Sequence, residues 1–160
     1  YNNYMWNPFS IFSNNADTLL TASDKQMLVE AIQAAEKTTS GEIRVYVESK
    51  LKKTDALTRA TEIFFKHKMN NTKERNGVLV YVAVKDKKLA IYADQGIYDK
   101  VGIEFWSHQV QEMSSHFRKE NYVSGISQVI ASIGKALTDH FPFDRVTDTN
   151  ELSDEIMMGK

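Results

Sequence analysis

Six polar residues of this 160-residue chain are spaced so that they could do chemistry. Glu42, Asp94 and Asp99 supply hard carboxylate oxygens, and Asn76 adds an amide oxygen. Such donors suit calcium or magnesium, which take oxygen ligands at roughly 2.0–2.6 Å. Arg44 and Arg75 carry planar guanidinium forks that can grip a phosphate through paired N–H donors. Each group also has a plainer reading. Glu42 and Arg44 lie two apart on a predicted strand and can form an ion pair on one face. Asp94 with Gly96, and Asn76 with Gly77, can simply shape turns at strand ends.

Other chemistries are excluded or weakened. The chain has no cysteine, which removes disulfides, thiolate zinc sites and cysteine nucleophiles. No EF-hand loop, no glycine-rich cradle ending in Lys-Ser/Thr and no Gly-x-Ser-x-Gly elbow occurs. The four histidines, His67, His108, His116 and His140, offer no pair at the spacing of a helical zinc site. No residue is therefore assigned a catalytic role.

The elements that must position these residues follow from periodicity. Ser23 can cap a helix over 24–37, in which Met27, Leu28, Ala31, Ile32 and Ala35 recur on one face. Ile43, Val45 and Val47 alternate with Glu42, Arg44, Tyr46 and Glu48 in the period of a strand. Thr54 can cap a second helix reaching about Met69. Val78–Val84 is a nearly continuous apolar run, the mark of a strand covered on both faces. A charged turn, Lys85–Lys88, leads to a third strand ending at Ala93, and Asp94, Gln95 and Gly96 break it. Two further helices run around Ile103–Phe117 and Ile126–Leu137.

Strands joined by a helix pair in parallel through a right-handed crossover, whereas a four-residue turn makes an antiparallel hairpin. The expected sheet therefore pairs 42–49 with 77–84 in parallel, and 77–84 with 88–94 antiparallel. Helices on both faces make this a three-layer α/β/α sandwich with a small mixed sheet, loosely Rossmann-like. Those directions put Glu42, Asn76 and Asp94 at one rim of the sheet, with Asp99 in the loop beyond. Residues 1–18 read as an N-terminal extension, 19–143 as the domain and 144–160 as an acidic tail. That tail, with Asp148, Glu151, Asp154 and Glu155, is expected to fold back over the sheet through Phe143 and Leu152, with a disordered tail as the competing reading.

Twenty basic residues against 21 acidic, interspersed, give a net charge of −1, without the basic stripe of a nucleic-acid binder. No apolar run approaches the roughly 18 residues of a membrane span. The first 15 residues lack the layout of a signal peptide, and Met5 is a candidate native start of a trimmed chain. A cytoplasmic monomer, with a protein partner as an option, is the expectation.

Four segments carry a resemblance when taken in order: Glu36–Val45 (EKTTSGEIRV), Arg75–Tyr81 (RNGVLVY), Ile91–Ile97 (IYADQGI), and Phe141–Asp144 followed by Asn150–Leu152. Together they resemble the TPM-domain family, over about residues 19–156. The resemblance implies a mixed sheet flanked by helices. It also implies a divided set of roles: calcium-binding acid phosphatases among plant members, and photosystem repair or receptor modulation in others. Exported bacterial members carry a signal peptide and a membrane anchor, so this chain resembles the short stand-alone bacterial type. Two function classes follow, a module that binds a divalent cation and regulates, and a weak phosphomonoesterase using Arg44 and Arg75.

Overall fold

β1 (Glu42–Glu48) is the strand around which the other elements are arranged, and all seven of its residues are buried. The computed structural model of the chain describes residues 20–51, 55–143 and 157–158. In chain order its elements are α1 (Ala22–Glu36), β1, α2 (Ala56–Lys66), β2 (Gly77–Ala83), β3 (Lys88–Ala93), α3 (Gln95–Val101), α4 (Ile103–Arg118), α5 (Tyr122–His140) and β4 (Met157–Met158). The sheet order is β3-β2-β1-β4. β1 and β2 pair in parallel from Glu42 with Gly77 to Glu48 with Ala83, and β2 and β3 pair antiparallel. The α2 crossover and the short charged turn thus have the consequences expected of them.

Side-chain alternation divides the sheet between two cores. Ile43, Val45 and Val47 of β1, with Val78, Val80 and Val82 of β2, point toward α1, α4 and α5. There they meet Leu28, Ile32, Met113, Ile130 and Ile133, all fully buried. Tyr46, Leu79, Tyr81 and Ala83 point the other way, onto Ala60, Ile63 and Phe64 of α2. Helices on both faces of a small mixed sheet make the α/β sandwich.

The helix starts are set by side-chain oxygens. At α1 the Thr21 hydroxyl accepts the Asp24 N–H at 3.0 Å, and the Asp24 carboxylate accepts the Thr21 N–H at 2.9 Å. This reciprocal box satisfies two otherwise orphaned donors and moves the start two residues upstream of the expected Ser23 cap. At α2 the cap is Asp55, whose carboxylate accepts the Thr58 N–H at 2.8 Å; Thr54 lies outside the described residues.

Two elements differ from expectation. Asp94 does end β3, but it caps the helix α3 in place of a loop. β4, in the acidic tail for which no strand was expected, pairs in parallel with Tyr46 and Val47. Phe143 does not anchor that tail by burial, since it is 42% exposed. Leu152 and the acidic residues 148, 151, 154 and 155 lie outside the described residues.

The turn before β2 lies directly on the start of α3, and glycine permits this. A Cβ on Gly96 would sit 2.1 Å from the Glu74 carbonyl oxygen and 2.5 Å from that of Arg75. Backbone atoms on both sides leave little to yield. Gly96→Ala is expected to destabilise the domain by about 3 kcal/mol, the upper range for overpacking. Urea unfolding monitored by circular dichroism checks it; an unchanged midpoint would show that the turn moves aside freely.

Candidate functional site: the sheet rim

Strand direction alone brings the rim together, because β1 and β2 begin there and β3 ends there. The Asp94 N–H donates to the Gly77 carbonyl at 2.9 Å, and the Glu42 N–H to the Asn76 carbonyl at 3.3 Å. Glu42, Asn76 and Asp94 are 2%, 0% and 1% exposed. β2 stands between the two carboxylate-bearing positions, so their Cα atoms are about 10 Å apart at ordinary strand spacing.

Each carboxylate already faces an arginine. Asp94 Oδ2 accepts from Arg75 Nε at 2.7 Å and Oδ1 from Nη2 at 2.8 Å, a bidentate fork. Oδ1 also accepts the Gln95 N–H at 2.8 Å, which caps α3. The pair is uneven in its access to water, with the Arg75 side chain 46% exposed and that of Asp94 1%. Hydrogen bonding to Asp94, and then its charge, raise the Arg75 pKa further above its ordinary value. Arg75 holds a left-handed backbone with φ 52°, uncommon outside glycine.

Arg44 has an additional task. The N–H and C=O of Ile43 point away from β2, toward the edge that β4 covers only farther along the strand. Glu36 Oε1 accepts that N–H at 2.8 Å, and Arg44 Nη1 donates to that carbonyl. Side chains thus stand in for a neighbouring strand. Arg44 lies 3.7 Å from Glu42 and 3.5 Å from Glu36, so the Glu42–Arg44 pair forms and extends to a third member on α1.

Asn76 Nδ2 donates to the Ser40 hydroxyl at 3.2 Å, and its Oδ1 is buried without a hydrogen-bond partner. Asp99 is not brought into this group: it lies exposed on α3, about 7.5 Å of helix rise beyond Asp94. Among the described residues no three Asp, Glu or His side chains converge as a metal-ligating set. His116 Nε2 lies 2.8 Å from Gln128 Oε1, and His108 lies 3.8 Å from Glu112, both at helix surfaces.

A second polar group, which sequence reading missed, lies at the far end of β1. The Glu48 side chain is fully buried, and its Oε2 accepts from Arg59 Nε at 2.9 Å. Arg59 Nη1 also reaches Glu62 at 3.0 Å. Glu48 Oε1 and the Tyr81 hydroxyl are both buried without a well-formed hydrogen bond. Burial, and then the Glu48 charge, raise the Tyr81 pKa. The signal was present in the alternation that puts Glu48 on the α2 face, but Arg59 resembles any other polar position of an amphipathic helix. Removing one partner of a buried pair leaves the other uncompensated. Arg59→Met is thus expected to lower stability by about 3 kcal/mol, and adding Glu48→Gln to restore part of it. Denaturant unfolding of the double-mutant cycle reads this, and additive losses would show that the two residues are not coupled.

The comparisons with known proteins point one way. A family model described as the TPM domain matches residues 13–136. The NMR structure of the BA42 protein from the psychrophilic bacterium Bizionia argentinensis superposes with a TM-score of 0.80 at 42% identity. That match covers 88% of this chain and 95% of BA42. The solution structure of the N-terminal domain of cg2496 from Corynebacterium glutamicum shares the fold alone, with a TM-score of 0.60 at 13% identity and 74% of each chain covered. No curated protein matches. Among the described residues no helix is long and apolar enough to cross a membrane. The family match over most of the chain, and the likeness to BA42 along nearly its whole length, agree with the motif-bearing segments that meet at the rim: the chain belongs to the TPM-domain family.

Proposed function

We propose that the chain is a divalent-cation-binding, regulatory module whose site is the sheet rim. The observation that carries this reading is the buried Asn76 Oδ1 without a partner, beside two buried carboxylate-bearing residues. Glu42, Asp94, Asn76 and the Ser40 hydroxyl offer only oxygen donors, which fit calcium or magnesium, with water completing the shell. Two carboxylates are few, so the affinity is modest. Binding exchanges a guanidinium for a cation: the exposed Arg75 swings into water while buried Asp94 keeps a positive partner. Arg75 is thus the competitor that sets the threshold, and its release is the regulatory signal available to a protein partner.

A weak phosphomonoesterase has less support. The arginines that would grip the phosphate are engaged by carboxylates, Arg44 beside Glu36 and Glu42 and Arg75 on Asp94. Among the described residues no group of three or more His, Asp or Glu side chains stands together to hold a water-activating metal there.

Calcium and magnesium titrations followed by amide shifts test the proposal. Millimolar cation is expected to move Glu42, Asn76 and Asp94 together, and to raise the melting temperature because it binds the native state alone. Arg75→Ala is expected to tighten binding severalfold and Asp94→Asn to weaken it. If the rim amides stay still in 10-millimolar-scale cation (about 10 mM, well above sensor-type dissociation constants), or if Arg75→Ala leaves affinity unchanged, the carboxylates serve only as partners for their arginines.

A further inference from the structure

Beyond the rim residues themselves, α3, α4 and α5 line an open cleft of about 460 Å³, within the size range of small-molecule sites. Its floor is apolar, made by Val101, Phe105 and Ala136. Lys100, Lys135 and His140 stand around it, with Asp139 at the same margin. The Lys100 ammonium rests 5.7 Å from the centre of the Phe141 ring, which holds it at the cleft edge. Among the described residues neither lysine has a carboxylate partner.

Gln109 supplies the independent observation. It is 5% exposed and lines the cleft. No hydrogen bond ties its amide to another described residue. Its amide opens to the cleft, where it can donate to an acceptor that enters. An apolar floor, an amide donor and unpaired ammonium groups together describe a site for an amphiphilic anion. Charge decides which anion. Two lysines against Asp139 leave a single net positive charge among the lysine and carboxylate side chains of the lining, which matches a monoanionic carboxylate better than a dianionic phosphate.

We infer that this cleft binds a small organic carboxylate, with the apolar body on Phe105 and Ala136 and the carboxylate held by Lys100, Lys135 and the Gln109 amide. The inference does not rest on a cation at the rim.

The test uses the full chain labelled with nitrogen-15 and three probes: benzoate, benzyl alcohol and phenyl phosphate. Benzoate is expected to shift the Gln109 side-chain amide and the Ser132 and Lys135 backbone amides saturably, at about millimolar concentration. Benzyl alcohol, which keeps the ring but not the charge, is expected to bind at least about fivefold more weakly. Lys100→Gln and Lys135→Gln should each weaken benzoate binding severalfold without changing the melting temperature, and Asp139→Asn should strengthen it. Equal shifts from benzyl alcohol would reduce the cleft to an apolar groove. Tighter binding of phenyl phosphate would overturn the carboxylate assignment, and saturable shifts from none of the probes would remove the site.

Discussion

The requirement that buried charge be paired governs how this domain is assembled. β1 lies between two other strands, yet three of its seven residues, Glu42, Arg44 and Glu48, are charged and almost wholly buried. An isolated ion in such a place is far costlier than any packing gain nearby can offset. Each flanking helix therefore delivers a counter-charge: α1 ends at Glu36, beside Arg44, and α2 carries Arg59 to Glu48. The helices are thereby fixed in rotation as well as in layer, because a helix turned by one residue, about 100°, would lose its ion pair together with its apolar contacts. The apolar cores supply the driving force, and the charges select one arrangement.

The rim applies the same rule under different access to water. At Glu48 both partners are buried and the pair is closed to exchange. At Asp94 only the carboxylate is buried, and its guanidinium faces solvent. Coulomb attraction at a solvent-facing partner is screened, so competitors can enter there at modest cost. The two ends of one sheet thus hold a closed pair and a solvent-facing pair, distinguished by exposure and not by residue type.

Much of this was legible from the sequence, and what was not has physical causes. The parallel and antiparallel pairings follow from the helix between β1 and β2 and the tight turn before β3, and strand direction then places Glu42, Asn76 and Asp94 at one rim. α3 was hidden because QGIYDKV has a single core residue, Ile97, so no apolar period marks it. Its start was visible only as the Asp94 that appeared to end a strand. β4 was hidden because two residues cannot show a period. The fork between Arg75 and Asp94 joins residues 19 positions apart across the β2–β3 hairpin, and the left-handed backbone at Arg75 in the turn before β2 has no sequence signature. The cleft beside α5 arises from the packing of three helices and has no local pattern at all.

The register of the sheet also has consequences in time. The β2–β3 ladder joins residues as near as Ala83 and Lys88, whereas β1 reaches β2 only across 35 positions, as at Glu42 and Gly77. Loop closure favours the near pairing first, so the hairpin is expected to form early and β1 to dock late. φ-values would show this as high values in the hairpin and values near zero in β1. The charges of β1 then stay hydrated through most of folding and lose their water in the same step that brings them their partners.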